Sequence, residues 1–190
     1  MKVSYSLLIT GLIFFTSCKQ KEKQEGEKFF PALSFIKGQI AAMDTSLYSI
    51  RKLDFIDSIR TDTSFIHRQQ FRAIANDFLT VPDIASSKYE DRYKEEKLFD
   101  QTLNRVMITY TPVKPEKEQV QRQEVLIKPD PSGDKVTNIF IETTVNTKDS
   151  AVQKKLLWKV DESFQVTTTR QLAGQPEKTT TFKVVWGENE

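Results

Sequence analysis

Residues 152–160, Val152-Gln-Lys-Lys-Leu-Leu-Trp-Lys-Val160, run through Asp161-Glu162 into Ser163-Phe-Gln-Val-Thr-Thr-Thr-Arg-Gln-Leu172. Leu156, Trp158 and Val160 recur at every second position, as do Phe164, Val166 and Thr168. Successive side chains of a strand point to opposite faces, so this period puts each trio on one face. Both segments are rich in aromatic and β-branched residues, which fit a pleated, half-buried surface. Asp161 and Glu162 leave room only for a tight connection, and tight connections join antiparallel neighbours.

The same pattern extends in both directions. Ala173-Gly-Gln-Pro-Glu177 turns the chain into 179–186, where Phe182, Val184 and Trp186 share a face. Upstream lie further β-like segments at 105–112, 118–128 and 135–145. Pro129-Asp-Pro-Ser-Gly-Asp134 and the polar run 146–150 punctuate them. Short connections imply an antiparallel meander with one apolar and one polar face.

The apolar face needs cover, and the N-terminal half supplies it. Pro31 suits a first helical turn. Leu33, Ile36, Ile40 and Met43 follow at steps of three and four, which places them on one side of a helix ending near 43–44. Gly38 weakens that helix by about 1 kcal/mol and offers room for another backbone. Strands are expected near 47–56 and 58–66. Phe71, Ile74, Ala75, Phe78 and Leu79 mark a second helix over 67–80, stopped by Pro82. A third, short helical stretch is expected near 82–88, and the charged run 88–97 as solvated surface. The expected architecture is α+β: N-terminal amphipathic helices on a curved antiparallel meander of about five to seven strands. Residues 29–190 have the length of a single domain.

The first 28 residues differ in kind. Lys2 precedes a nine-residue apolar run, Leu7–Phe15, too short to span a bilayer but the right length for a signal-peptide core. Phe15-Thr16-Ser17-Cys18 resembles the lipobox of bacterial lipoproteins, with Phe15 where that family usually has Leu. The resemblance implies removal of residues 1–17 and lipid on Cys18, the single cysteine of the chain. Each buried methylene contributes about 0.8 kcal/mol, so the two or three acyl chains of such proteins hold them permanently on a membrane. Residues 18–28 then form the lipidated cysteine and a charged tether, Lys19 to Lys28, without an apolar residue and at most roughly 35 Å long. Lys19 stands where an Asp resembles an inner-membrane retention signal, which points to the outer membrane. Lys21-Glu22 fits a signal for display on the outer face and fits a plain linker equally, so the face stays open.

Charge excludes little else. Removing Lys2 from 28 basic residues leaves 27 against 26 acidic ones. That balance gives no electrostatic case for nucleic acid. His67, the one histidine, is read as a helix-start residue. Imidazole metal sites usually take two or more, and the nearby Ser58 and Ser64 have no nucleophile-elbow setting. Asp54, Asp57 and Asp62 miss the spacing of a calcium loop. Glu90, Asp91, Glu95 and Glu96 interleave with Lys88, Arg92, Lys94 and Lys97 as a solvated face does. Trp158 and Trp186 are in phase with apolar neighbours and are read as core. No catalytic residue, metal or cofactor is expected.

The layout also resembles an uncharacterised group of Gram-negative envelope lipoproteins. The matching features are Phe29-Phe30-Pro31, Ile36-Lys-Gly-Gln-Ile40, Phe99-Asp-Gln101, Thr109-Tyr110 and Trp186. That group lends no activity. The leading expectation is a membrane-anchored envelope lipoprotein, not an enzyme, whose domain binds a partner protein or polymer. The alternative is a carrier of an apolar or lipid ligand, similar to periplasmic lipoprotein carriers that close a curved sheet with helices over an apolar cavity.

Overall fold

A computed structural model describes residues 28–57 and 59–187. The expected signal peptide 1–17, Cys18, tether residues 19–27 and Ser58 lie outside the described residues. The chain runs α1 (Ala32–Met43), β1 (Arg51–Phe55), β2 (Thr61–Phe65), α2 (Arg68–Ile74) and α3 (Asn76–Leu79). Seven strands follow: β3 (Tyr93–Asp100), β4 (Arg105–Pro112), β5 (Val120–Lys128), β6 (Lys135–Asn146), β7 (Ser150–Lys159), β8 (Ser163–Leu172) and β9 (Lys178–Val185). They form one sheet, ordered β2-β1-β9-β8-β7-β6-β5-β4-β3. Each pairing is antiparallel.

The α+β class and the antiparallel meander therefore stand, with corrections. Among the described residues the sheet has nine strands rather than five to seven. Two strands come from the hairpin β1–β2, which joins the sheet where Arg51 pairs with Val185 and Lys52 with Val184. Another, β3, overlaps the charged run 88–97, which is solvated as expected but is also a strand. Six of its eight residues are exposed, because an edge strand needs a backbone ladder but no apolar face. Nor are the helices all N-terminal, since α2 and α3 follow the first hairpin. The expected helix over 67–80 breaks at Ala75, whose ψ of 5° leaves the helical range. The stretch at 82–88 is built of tighter i→i+3 turns, including a 3₁₀ turn at Ser87–Tyr89. Gly38 is exposed, with no atom within 4 Å of where a Cβ would stand, so no backbone approaches it.

Helix and sheet meet in an aromatic layer. α1 buries Ala32, Ile36, Ile40 and Met43, while α2 and α3 bury Phe71 and Phe78. Trp158 and Phe164 are cross-strand partners on β7 and β8, stacked at 5.3 Å and 9°. Phe71 stands edge-on to Trp158 at 6.4 Å, to Phe164 at 5.7 Å and to Trp186 at 5.1 Å. Phe78 stands edge-on to Trp158 at 5.2 Å and to Phe164 at 5.4 Å. Such tilted ring pairs add about 0.5–1.5 kcal/mol each beyond area burial. All five rings are buried to within 2 %.

The residues just after β9 are locked by a close approach. Trp186 N–H donates to Glu162 O at 2.9 Å. Gly187 follows with φ +71°, and a Cβ there would sit 2.7 Å from Asp161 O. Only glycine fits both conditions.

Candidate functional site

A cleft of about 330 Å³ opens beside the start of the domain, lined by Asp91, Arg92, Val113, Lys114, Lys117 and Glu118. Its position follows from the β3–β4 hairpin. Val113 N–H donates to Arg92 O at 2.8 Å, which continues that ladder past Tyr93 and Pro112. The chain then makes a 3₁₀ turn at Pro115–Lys117 and brings Glu118 beneath Arg92.

Arg92 Nε and Nη2 each approach Glu118 Oε1 at 2.6 Å. The carboxylate side is 5 % exposed and the guanidinium side 43 %. A charge-assisted bond of this kind compensates a carboxylate that has left water. The guanidinium also lies 4.8 Å over the Tyr89 ring, with Lys88 Nζ at 4.7 Å from the same ring. Tyr89 stands edge-on to Tyr93 at 6.0 Å. The Tyr93 hydroxyl donates to Val120 O at 3.0 Å. Burial pushes the Tyr93 hydroxyl well above the ordinary tyrosine range, and the Glu118 charge pushes it further.

The start of the domain is fastened to the same corner. Lys28 Nζ donates to Glu90 O at 2.8 Å and lies 3.7 Å from Asp91. Phe30 N–H donates to the Tyr110 hydroxyl at 3.0 Å. That hydroxyl too is held protonated, mainly by burial and also by nearby Glu95.

Among the described residues three cations and two carboxylates line this cleft, without an imidazole or a serine. Glu118 is already committed to Arg92, so the arrangement suits holding a charged group rather than moving a proton. Lys114 and Lys117 are exposed lining cations.

The residues singled out in the sequence are scattered. His67 is exposed at the first turn of α2, where its N–H donates to Gln70 Oε1 at 3.1 Å. Ser64 lies exposed on β2. Asp54 pairs with Lys52 at 2.6 Å. Asp57 accepts from the N–H of Ile59 at 2.9 Å and of Arg60 at 2.8 Å, and from Arg60 Nε at 2.7 Å. Those bonds hold its carboxyl below the usual range. Asp62 faces Asp54 across the hairpin. Among the described residues no cluster of three His, Cys, Asp or Glu side chains is placed to hold a metal ion. Of the mixed-charge run, Arg92 and Asp91 reach the cleft, while Glu95 pairs with Lys97 at 2.9 Å. Trp158 and Trp186 lie in the aromatic layer.

Sequence reasoning missed the Arg92–Glu118 pair, because its members are 26 residues apart. The run Lys114-Pro-Glu-Lys117 was the one local sign of a charged loop there.

Comparison with protein-family models, curated proteins and solved structures returned no match. The cleft and the core must speak for the chain through their own chemistry.

Proposed function

We propose that the chain is a lipid-anchored protein of the bacterial cell envelope whose domain is a non-catalytic binding module. The observation that carries this reading is the filled aromatic layer between the helices and the sheet. A carrier of acyl chains needs an apolar void there, and the rings of Phe71, Phe78, Trp158, Phe164 and Trp186 occupy that space at contact distance. Binding is left to the surface, where the Arg92 cleft offers preorganised charge.

The anchor rests on Phe15-Thr16-Ser17-Cys18 and on the charged segment that follows. Lys19 supports the outer membrane. Among the described residues no helix is long and apolar enough to cross a membrane. The tether would deliver the domain by Lys28, beside the cleft. The bound partner is an envelope protein or polymer that presents a charged group to Lys114, Lys117 and Arg92.

In-membrane crosslinking tests this. Full-length chain should capture a partner, and Lys114→Ala/Lys117→Ala should lose it. No foreign partner under several crosslinkers would count against the module. Saturable uptake of a fluorescent fatty acid by the folded chain would favour the carrier instead.

A further inference from the structure

Among the described residues the sheet ends on two free edges, β2 and β3. β3 carries Lys94, Glu95, Glu96 and Lys97 in succession, the kind of charge that deters a further strand. β2 has no such guard. All five residues of Thr61-Asp-Thr-Ser-Phe65 are exposed, with one charge, no Pro and no Lys. Its register against β1 runs without a bulge. Phe65 is 76 % exposed, and Ile56 (61 %) and Ile59 (91 %) are exposed in the turn before the strand.

The ladder dictates which backbone groups are free. Ile66 N–H bonds Ile50 O and Ile56 N–H bonds Arg60 O, at 3.0 Å each. Hydrogen-bonded pairs alternate along an antiparallel ladder. The even-numbered residues of β2 therefore face β1, and the N–H and C=O of Thr61, Thr63 and Phe65 face outward.

We propose that β2 is the contact between two copies of this chain, paired antiparallel about a twofold axis at Thr63. In that register Thr63 meets Thr63 of the partner subunit, and Thr61 meets Phe65 of the partner subunit. The outward groups fall opposite one another and form roughly six backbone hydrogen bonds. Asp62 meets the partner's Ser64, whose hydroxyl can donate to the carboxylate. Aromatic–β-branched, Thr–Thr and hydroxyl–carboxylate pairs are favourable cross-strand neighbours. The two adjacent in-phase registers are poorer. One sets Asp62 against Asp62 of the partner subunit, which like charges disfavour. The other leaves Thr61 unpaired. A β2–β3 contact would be head-to-tail and would not close at two copies. Nothing in the twofold contact depends on Cys18 or on the Arg92 cleft, which lies by the opposite edge.

The test is a reporter cysteine in the full-length chain in its membrane. Thr63→Cys should give a disulfide-linked dimer on mild oxidation, and Lys97→Cys on β3 should not. The parent chain, with Cys18 alone, is the blank. In detergent, sedimentation should show a dimer. Thr63→Pro removes an outward N–H yet spares the β1 ladder, and Thr63→Lys opposes two ammonium groups. Either should weaken dimerisation about tenfold or more while leaving the circular dichroism unchanged. A parent chain monomeric at tens of micromolar would overturn the proposal. So would a Thr63→Lys variant that dimerises as tightly as the parent, or a Thr63→Cys crosslink to a different protein.

Discussion

Phe71→Ala probes the aromatic layer at its centre. Phe71 is fully buried and touches Trp158, Phe164 and Trp186 edge-on. Truncating a buried Phe to Ala costs about 3–5 kcal/mol. Three lost ring contacts and surrounding strands that cannot collapse inward place this site near the middle of that range or above, at about 4 kcal/mol. For a domain of this size each kcal/mol moves Tm by about 2–4 °C, so the expected fall is roughly 8–16 °C. Thermal melts followed by near-UV circular dichroism read it directly, since Trp158 and Trp186 sit in the layer. Leu47→Ala, at a side chain 96 % exposed, should stay within about 0.5 kcal/mol of the parent. The vacated space would be apolar and ring-lined, so the variant should bind a small aromatic such as benzene and the parent should not. A Phe71→Ala variant within about 1 kcal/mol of the parent, or benzene binding by the parent, would refute a filled interior.

Further perturbations test other parts of the account. Tyr93 and Tyr110 stay protonated in the folded chain above the ordinary tyrosine range, while unfolded tyrosine ionises near pH 10. The folded state then holds more protons, so stability falls as pH rises past about 10. Urea midpoints should hold up to about pH 9 and fall steadily once the pH passes about 10, with no new plateau by about pH 11, and Tyr110→Phe should make that fall shallower. Arg92→Ala strands a buried carboxylate and should cost about 2–3 kcal/mol. Glu118→Gln frees a half-exposed guanidinium and should cost only about 1 kcal/mol; equal losses in urea titrations would contradict the burial asymmetry. Gly38→Ala should stabilise α1 by about 0.5–1 kcal/mol. Gly187→Ala should destabilise by roughly 2 kcal/mol or more, through its positive φ and the Asp161 carbonyl.

The meander was legible because its strands are half-buried. Leu156 and Trp158 on β7, and Phe164 and Val166 on β8, recur at every second position on the buried face, and that period is visible in the sequence itself. α1 was legible for the matching reason at period 3.6. β3 was not, because its stability comes from the β4 ladder and leaves little mark on side-chain choice. The union of β1 with β9 joins Arg51 to Val185, and no local spacing encodes so distant a pairing. The break at Ala75 was hidden because Phe71 and Phe78 reach the same rings on either side of it. At the cleft, Arg92 looked like one charge among many until Glu118 arrived from 26 residues away. The free edge of β2 could be seen only once the strand order was known.

Intact mass and membrane partition of the mature chain, with and without Cys18→Ser, bear most directly on the proposed anchoring. The parent should begin at Cys18, carry the added mass of its acyl groups and remain with the membrane fraction. The variant should lack that mass and leave the membrane. A variant as heavy and as firmly bound as the parent would contradict a lipid-anchored module.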